Sequence, residues 1–172
     1  MEQISFANLG KGQIIAKNTL DLMKKIIISS SSNWQVRQAT AKIIEGLPWR
    51  DENAELRTIY QWVQENTRYV KDPHTLETLI TPPTILNDIQ LGNKPQMDCD
   101  DYSMLLASMY RSIGYPISLR VASYHPSGQF GHVYILVKTR GTWIPVDGIA
   151  YGKEPGWESP GFTNMADYII DT

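Results

Sequence analysis

The chain of 172 residues reads as a single α+β domain, and three observations carry that reading. Apolar residues recur at helical spacing through roughly the first 113 positions. Runs rich in β-branched and aromatic residues then fill 117–147. The two kinds of segment follow one another instead of alternating, which separates α+β from a doubly wound sheet. A hydrophobic content of 42% and a charged content of 20% suit a globular protein with a real core.

Thr19 to Ile28 is expected to be a short helix, with Leu20, Met23, Ile27 and Ile28 on one face, ended by the serines at 29–32. Asn33 should cap a second helix running to about Glu45, stopped by Gly46 and Pro48. A third spans Glu52 to Thr67, where Leu56, Ile59, Tyr60 and Val63 follow the i, i+3, i+4, i+7 pattern. Tyr69 and Val70 suggest a short extended piece before an Asp72-Pro73 turn. Thr84 to Gln90 is a shorter helix after Pro82 and Pro83. The strongest helix signal follows, with Tyr102, Leu105, Leu106, Met109, Tyr110 and Ile113 in register and Gly114 and Pro116 beyond its end. ISLRVASY (117–124), GHVYILVK (131–138) and TWIPVD (142–147) read as an antiparallel meander, with TRG turning between the last two. From Tyr151 the tail is expected to be a loop and a short closing segment.

The formal net charge is −2, which does not favour nucleic acid or an anionic membrane as partner. No basic region followed by an apolar run opens the chain, and no apolar stretch spans a bilayer. A cytoplasmic protein is expected; a virion-borne one would have the same composition. Cys99 is the only cysteine, so a disulfide within the chain and a multi-cysteine metal site are excluded. No metal or other cofactor is expected, because Asp98, Asp100 and Asp101 lack a complete oxygen-ligand loop.

Cys99 lies in MDCDD, at the start of the strongest helix. Asp98 should cap that helix, and Asp101 should complete a capping box. Cys99 then takes the first helical position, where the dipole and backbone N–H groups favour a thiolate and a developing oxyanion. The aspartates oppose ionisation, unless their carboxylates turn to water or to backbone N–H groups. A lone cysteine near a buried face is equally a small core hydrophobe. His132 opens the second strand and Asp147 closes the third. If TRG sets Lys138 near Thr142, Asp147 falls within about one residue of His132. A carboxylate there would fix the tautomer of an imidazole and stabilise its charged form. Taken singly, His132 also reads as a structural strand residue and Asp147 as a turn residue.

D-C-D-D opening a helix, then IGYP, GHVYILV and W-x-x-V-D, resembles the transglutaminase-like superfamily of cysteine enzymes, a circularly rearranged relative of the papain fold. The resemblance covers about 60–149, and implies a catalytic core there with a helical extension over 1–50. It implies Cys99 as nucleophile, His132 as base and Asp147 as orienting carboxylate. Trp143 matches the aromatic residue that precedes that carboxylate. Tyr69 and Gln96 are the candidates for a second oxyanion donor, Tyr69 equally being a core aromatic. Where many members have Gly before the acidic residue that precedes the cysteine, this chain has Met97. TLDLMKKI and VRQATAKII resemble small bacterial, phage or prophage members. The implied activity is hydrolysis of an amide bond in a peptide or protein substrate through a thioester. Transglutaminase or deamidase chemistry, and a non-catalytic peptide-binding or virion module, are the alternatives. His125 and His74 sit in Pro- or Gly-containing turns and are expected on the surface; Trp34, Trp49, Trp62 and Trp157 are expected to be core or half-buried.

Overall fold

Three helices precede the first strand: α1 (Lys11–Ser31), α2 (Trp34–Ile43) and α3 (Glu52–Asn66). The computed structural model describes residues 11–71 and 79–170, with side chains from residue 17 onward. The expected turn at Asp72-Pro73, and His74, lie outside the described residues. α1 is twice as long as the apolar period suggested, because it starts at Lys11 and also runs on through the serines to Ser31, whose Oγ donates back to Ile28 O at 2.9 Å. Asn33 caps α2 as expected, its side-chain oxygen accepting from Gln35 N–H at 2.8 Å. Asp51 does the same for α3 through Ala54 N–H at 3.1 Å. Leu56, Ile59, Tyr60 and Val63 form the buried face of α3.

A two-stranded parallel pair, β1 (Arg68–Tyr69) and β2 (Gln96–Met97), brackets α4 (Pro82–Gln90), which starts at its prolines. α5 (Cys99–Ser112) follows at once. Every residue of α5 from Asp101 to Tyr110 is buried, so it is the central helix and not a one-sided surface helix. α1, α2 and α3 pack around it, and the sheet closes its remaining side. The small residues Ser103, Ala107 and Ser108 occupy the sides that the apolar stripe leaves, which lets neighbours approach on all sides.

The main sheet has the order β5-β4-β3-β6, all antiparallel, with β3 at Ile117–Ser123, β4 at His132–Thr139, β5 at Thr142–Val146 and β6 at Asn164–Ile170. β6 is the expected closing segment, now a full edge strand; its ion-paired Asp167 and half-buried Tyr168 hid the alternation. The β4–β5 turn has two residues, Arg140 and Gly141, at φ 48° and 82°. Positive φ at both is the type I′ geometry that suits strand twist. Thr139 therefore pairs with Thr142 and Lys138 with Trp143, one step from the expected register. The last β4–β5 pair is Ile135 with Val146, which brings Asp147 level with Tyr134. Asp147 is then two residues from level with His132, on the same sheet face.

Beyond Val146 the chain leaves β4 and dives toward α3 and α5. Tyr60 Oη lies 2.8 Å from the carbonyl of Ala150 and 3.2 Å from that of Asp147, with one proton to serve either. Gln64 Nε2 reaches Gly148 O at 3.0 Å. Gly148 lies so close to Tyr102 that a β-carbon would sit 2.8 Å from its ring. Trp34 and Trp49 are 74% and 83% exposed, against expectation. Trp34 starts α2 off the face that buries Val36 and Thr40, and Trp49 carries the Arg50 guanidinium over its exposed ring. Trp62 and Trp157 are half-buried. Among the described residues, no helix is long and apolar enough to cross a membrane.

Candidate active site

The start of α5 is built as the sequence implied. Asp98 Oδ1 accepts from the N–H groups of Asp100 and Asp101 at 3.0 and 3.2 Å, and Asp101 reaches back to Asp98 N–H. Cys99 is the first residue of the helix and half-buried. Its N–H is not used by the cap.

β5 parts from β4 before reaching Val133, and α5 fills the gap. Ser103 Oγ lies 2.7 Å from Cys99 O and 3.1 Å from Val133 O, with one proton to serve either. The Val133 N–H donates to the Cys99 sulfur, which favours the thiolate. That contact sets the thiol beside the backbone of the residue next to His132. His132 Nε2 and Asp147 Oδ2 are 2.8 Å apart, and Asp147 Oδ1 accepts from Ile149 N–H at 3.2 Å. With Nε2 committed to Asp147, Nδ1 is the ring nitrogen left for other chemistry.

The thiol's electrostatics differ from expectation. Asp98 and Asp101 do turn to backbone N–H groups, but the Asp100 carboxylate lies 3.6 Å from Cys99 Sγ and accepts from it. Burial pushes the Cys99 thiol well up, the Asp100 charge adds to that, and the Val133 N–H offsets only part. Burial and Asp100 thus favour the neutral thiol over the thiolate. Asp100 is the second helical residue, and the cap uses its N–H from the other side, so its side chain remains beside the sulfur.

Tyr69 pairs with Met97, which places it beside the helix start. Its hydroxyl is pushed up by burial, then by the negative charge that Cys99 carries when ionised and by Asp98 and Asp147. Gln96 pairs with Arg68, one residue out of phase with Tyr69, and is exposed. Trp143 packs with Ala122, Tyr134 and Leu136 on the sheet face opposite α5. Its partner Lys138 is six residues from His132, about 20 Å along the strand, so Trp143 stands away from the cysteine. His125 is exposed, in a turn with Ser127. Among the described residues, no three His, Cys, Asp or Glu side chains gather in a way that would hold a metal ion.

The sequence reading missed Ser103, Val133 and Tyr60, which join helix, strand and Asp147. Their roles come from where β5 ends, and no local pattern marks that point.

An α+β chain with a cysteine opening its central helix, and a histidine–carboxylate pair on the strands beside it, defines a class of thiol-bearing domains. The model of the Transglutaminase-like superfamily matches residues 38–148, and the chain belongs to that superfamily. No curated protein matches it in sequence. A candidate cysteine protease from Cytophaga hutchinsonii shares the fold at a TM-score of 0.53 and 14% identity, over 85% of this chain and 56% of that one. The chain thus spans little more than half of that protein. Legionella pneumophila LapG aligns at a TM-score of 0.49 and 16% identity, over 81% and 80% of the two chains. A structure described as a TGase aligns at 0.46 and 18% identity, over 87% of this chain and 36% of that one.

Proposed function

We propose that this chain is a cysteine-dependent amide hydrolase acting on peptides or proteins, with Cys99, His132 and Asp147 as its catalytic residues. The observation that carries this reading is the His132–Asp147 bond of 2.8 Å beside a helix-start cysteine joined to Val133. His132 Nδ1 takes the proton from Cys99 Sγ, and the thiolate attacks the amide carbonyl carbon. The Cys99 N–H receives the oxyanion, with the Tyr69 hydroxyl as the second donor in preference to the exposed Gln96. His132 gives its proton to the departing amine, leaving a thioester. His132 then takes a proton from water as the water oxygen attacks the thioester carbon, the C–S bond breaks to release the acid product, and His132 returns the proton to the sulfur. In this reading residues 60–149 form the catalytic core, and 1–50 a helical extension. An amine in place of water would make the same thioester a route to transamidation.

A second reading rests on the Asp100–Cys99 contact, which holds the thiol neutral: a peptide-binding domain whose cysteine is inert. Incubating a peptide library with the parent and with Cys99→Ala separates the two. Products from the parent alone support the hydrolase. A folded parent that releases none, whose thiol alkylates only on unfolding and which retains peptides from the library, supports the binding module and overturns the hydrolase.

A further inference from the structure

His132 does more than face Asp147. The Tyr134 ring stacks on it, with centroids 5.5 Å apart and planes 29° apart. Tyr134 is 2% exposed, so the ring has little freedom to turn away. Its hydroxyl donates to Glu158 Oε1 at 2.5 Å. Arg120 Nη1 meets the same oxygen at 2.8 Å, and Arg120 is fixed in turn by two bonds to Asp167 on β6, at 2.6 and 2.8 Å. The result is a chain from the edge strand, across β3 and the tail, to the ring beneath the imidazole. Such a bidentate, half-buried arginine is rigid compared with a surface pair.

We propose that Tyr134 is a positioning residue for His132, and that its ring, made electron-rich by the hydroxyl's bond to Glu158, is the face that stabilises the imidazolium against Asp147 once His132 has taken a proton. This rests on the hydrolase reading only for its consequence in catalysis. An aromatic face attracts a cation, and more strongly where water is excluded. A phenol that donates to a carboxylate carries more negative charge in its ring than a free one. Arg120 spreads the Glu158 charge, so that the carboxylate polarises Tyr134 without being unpaired. The other groups facing His132 are Asp147, bonded to Nε2, and Tyr124, whose ring lies 6.4 Å away; Cys99, with Asp98 and Asp100 about it, sits beside the neighbouring Val133. None of these is moved by a change at residue 134.

The test follows the His132 ring protons by NMR as a function of pH, in a Cys99→Ala background. This protein does no thiol chemistry, so the result is independent of whether the hydrolase reading holds. With Tyr134→Leu the His132 midpoint is expected to fall by about half a unit, and with Tyr134→Phe by less, because the phenyl face remains. In proteins that retain Cys99, the acid limb of kcat/KM should move to lower pH by the same amounts, in the same order, because His132 must be unprotonated to take the thiol proton. Should the Leu variant not fold, Tyr134→Phe and Glu158→Gln carry the test, since each removes the polarisation and each should lower the midpoint. Midpoints equal to the parent's in every folded variant would overturn the proposal.

Discussion

Cys99 is held by two opposed contacts, the Val133 N–H that favours its thiolate and the Asp100 carboxylate that disfavours it. The carboxylate is the more removable. Asp100→Asn is expected to lower the thiol pKa and to speed iodoacetamide alkylation at pH 7 by about tenfold, the gain from a one-unit fall. An unchanged rate would mean that burial alone holds the thiol neutral. Asp147→Asn should cut turnover by about 10²-fold or more while barely shifting the denaturant midpoint. Its remaining oxygen can still accept from Ile149, but the amide presents N–H to Nε2, or the ring takes the wrong tautomer. Turnover equal to the parent's would leave Asp147 as a strand-end residue. At this scale the sequence was informative about identity and silent about direction. D-C-D-D located the cap, the thiol and the acidic neighbours. It did not indicate that Asp100, alone of the three, would face the sulfur, because that depends on how α5 docks against β4.

The α5 start is itself an element with a pH response. Asp101 is buried, accepts from Ile80 N–H at 2.7 Å and completes the capping box. Burial pushes its carboxyl up to about 7, although the Ile80 N–H pulls the other way. A carboxyl that holds its proton longer when folded than when unfolded reduces stability as pH rises between the two pKa values. Asp101 should therefore contribute a loss of stability from about pH 4 to about pH 7, and none of the usual acid lability. Asp101→Asn keeps an acceptor for Ile80 and removes the titration. Denaturant melts across that range should be flatter in the variant, and identical slopes would assign the pH response elsewhere. Helix and strand periods made α2, α3, α5 and β3–β5 legible. The β4–β5 register was missed by one step because TRG was read as a three-residue link, whereas Arg140 and Gly141 alone make the turn. The closing segment was expected, but not as the full strand β6, because a strand edge with an ion-paired aspartate does not alternate cleanly.

Across the whole molecule, α5 joins every layer: the N-terminal helices pack on one side, the sheet on another, and the tail after β5 crosses its first turns. Gly148 is where that crossing is tightest, since a β-carbon would meet Tyr102 at 2.8 and 2.9 Å and Leu106 at 3.0 Å. Gly148→Ala is expected to cost about 1–3 kcal/mol by overpacking, and to move Asp147 away from His132. A denaturant melt measures the first and loss of activity the second; a variant as stable as the parent would show that Tyr102 yields without strain. No periodicity in the sequence pointed to this crossing. The place of Asp147 beside His132 depends on it, which is why the two residues were recognisable one by one and their junction was not.

The most direct measurement of the central claim, that His132 activates Cys99, is the pH dependence of iodoacetamide alkylation in the parent and in His132→Ala. His132 as base requires the parent thiol to react about tenfold faster near pH 7 than in the variant, with the variant's curve displaced to higher pH. Superimposed curves would mean that the imidazole and the sulfur do not exchange a proton, and would contradict the hydrolase.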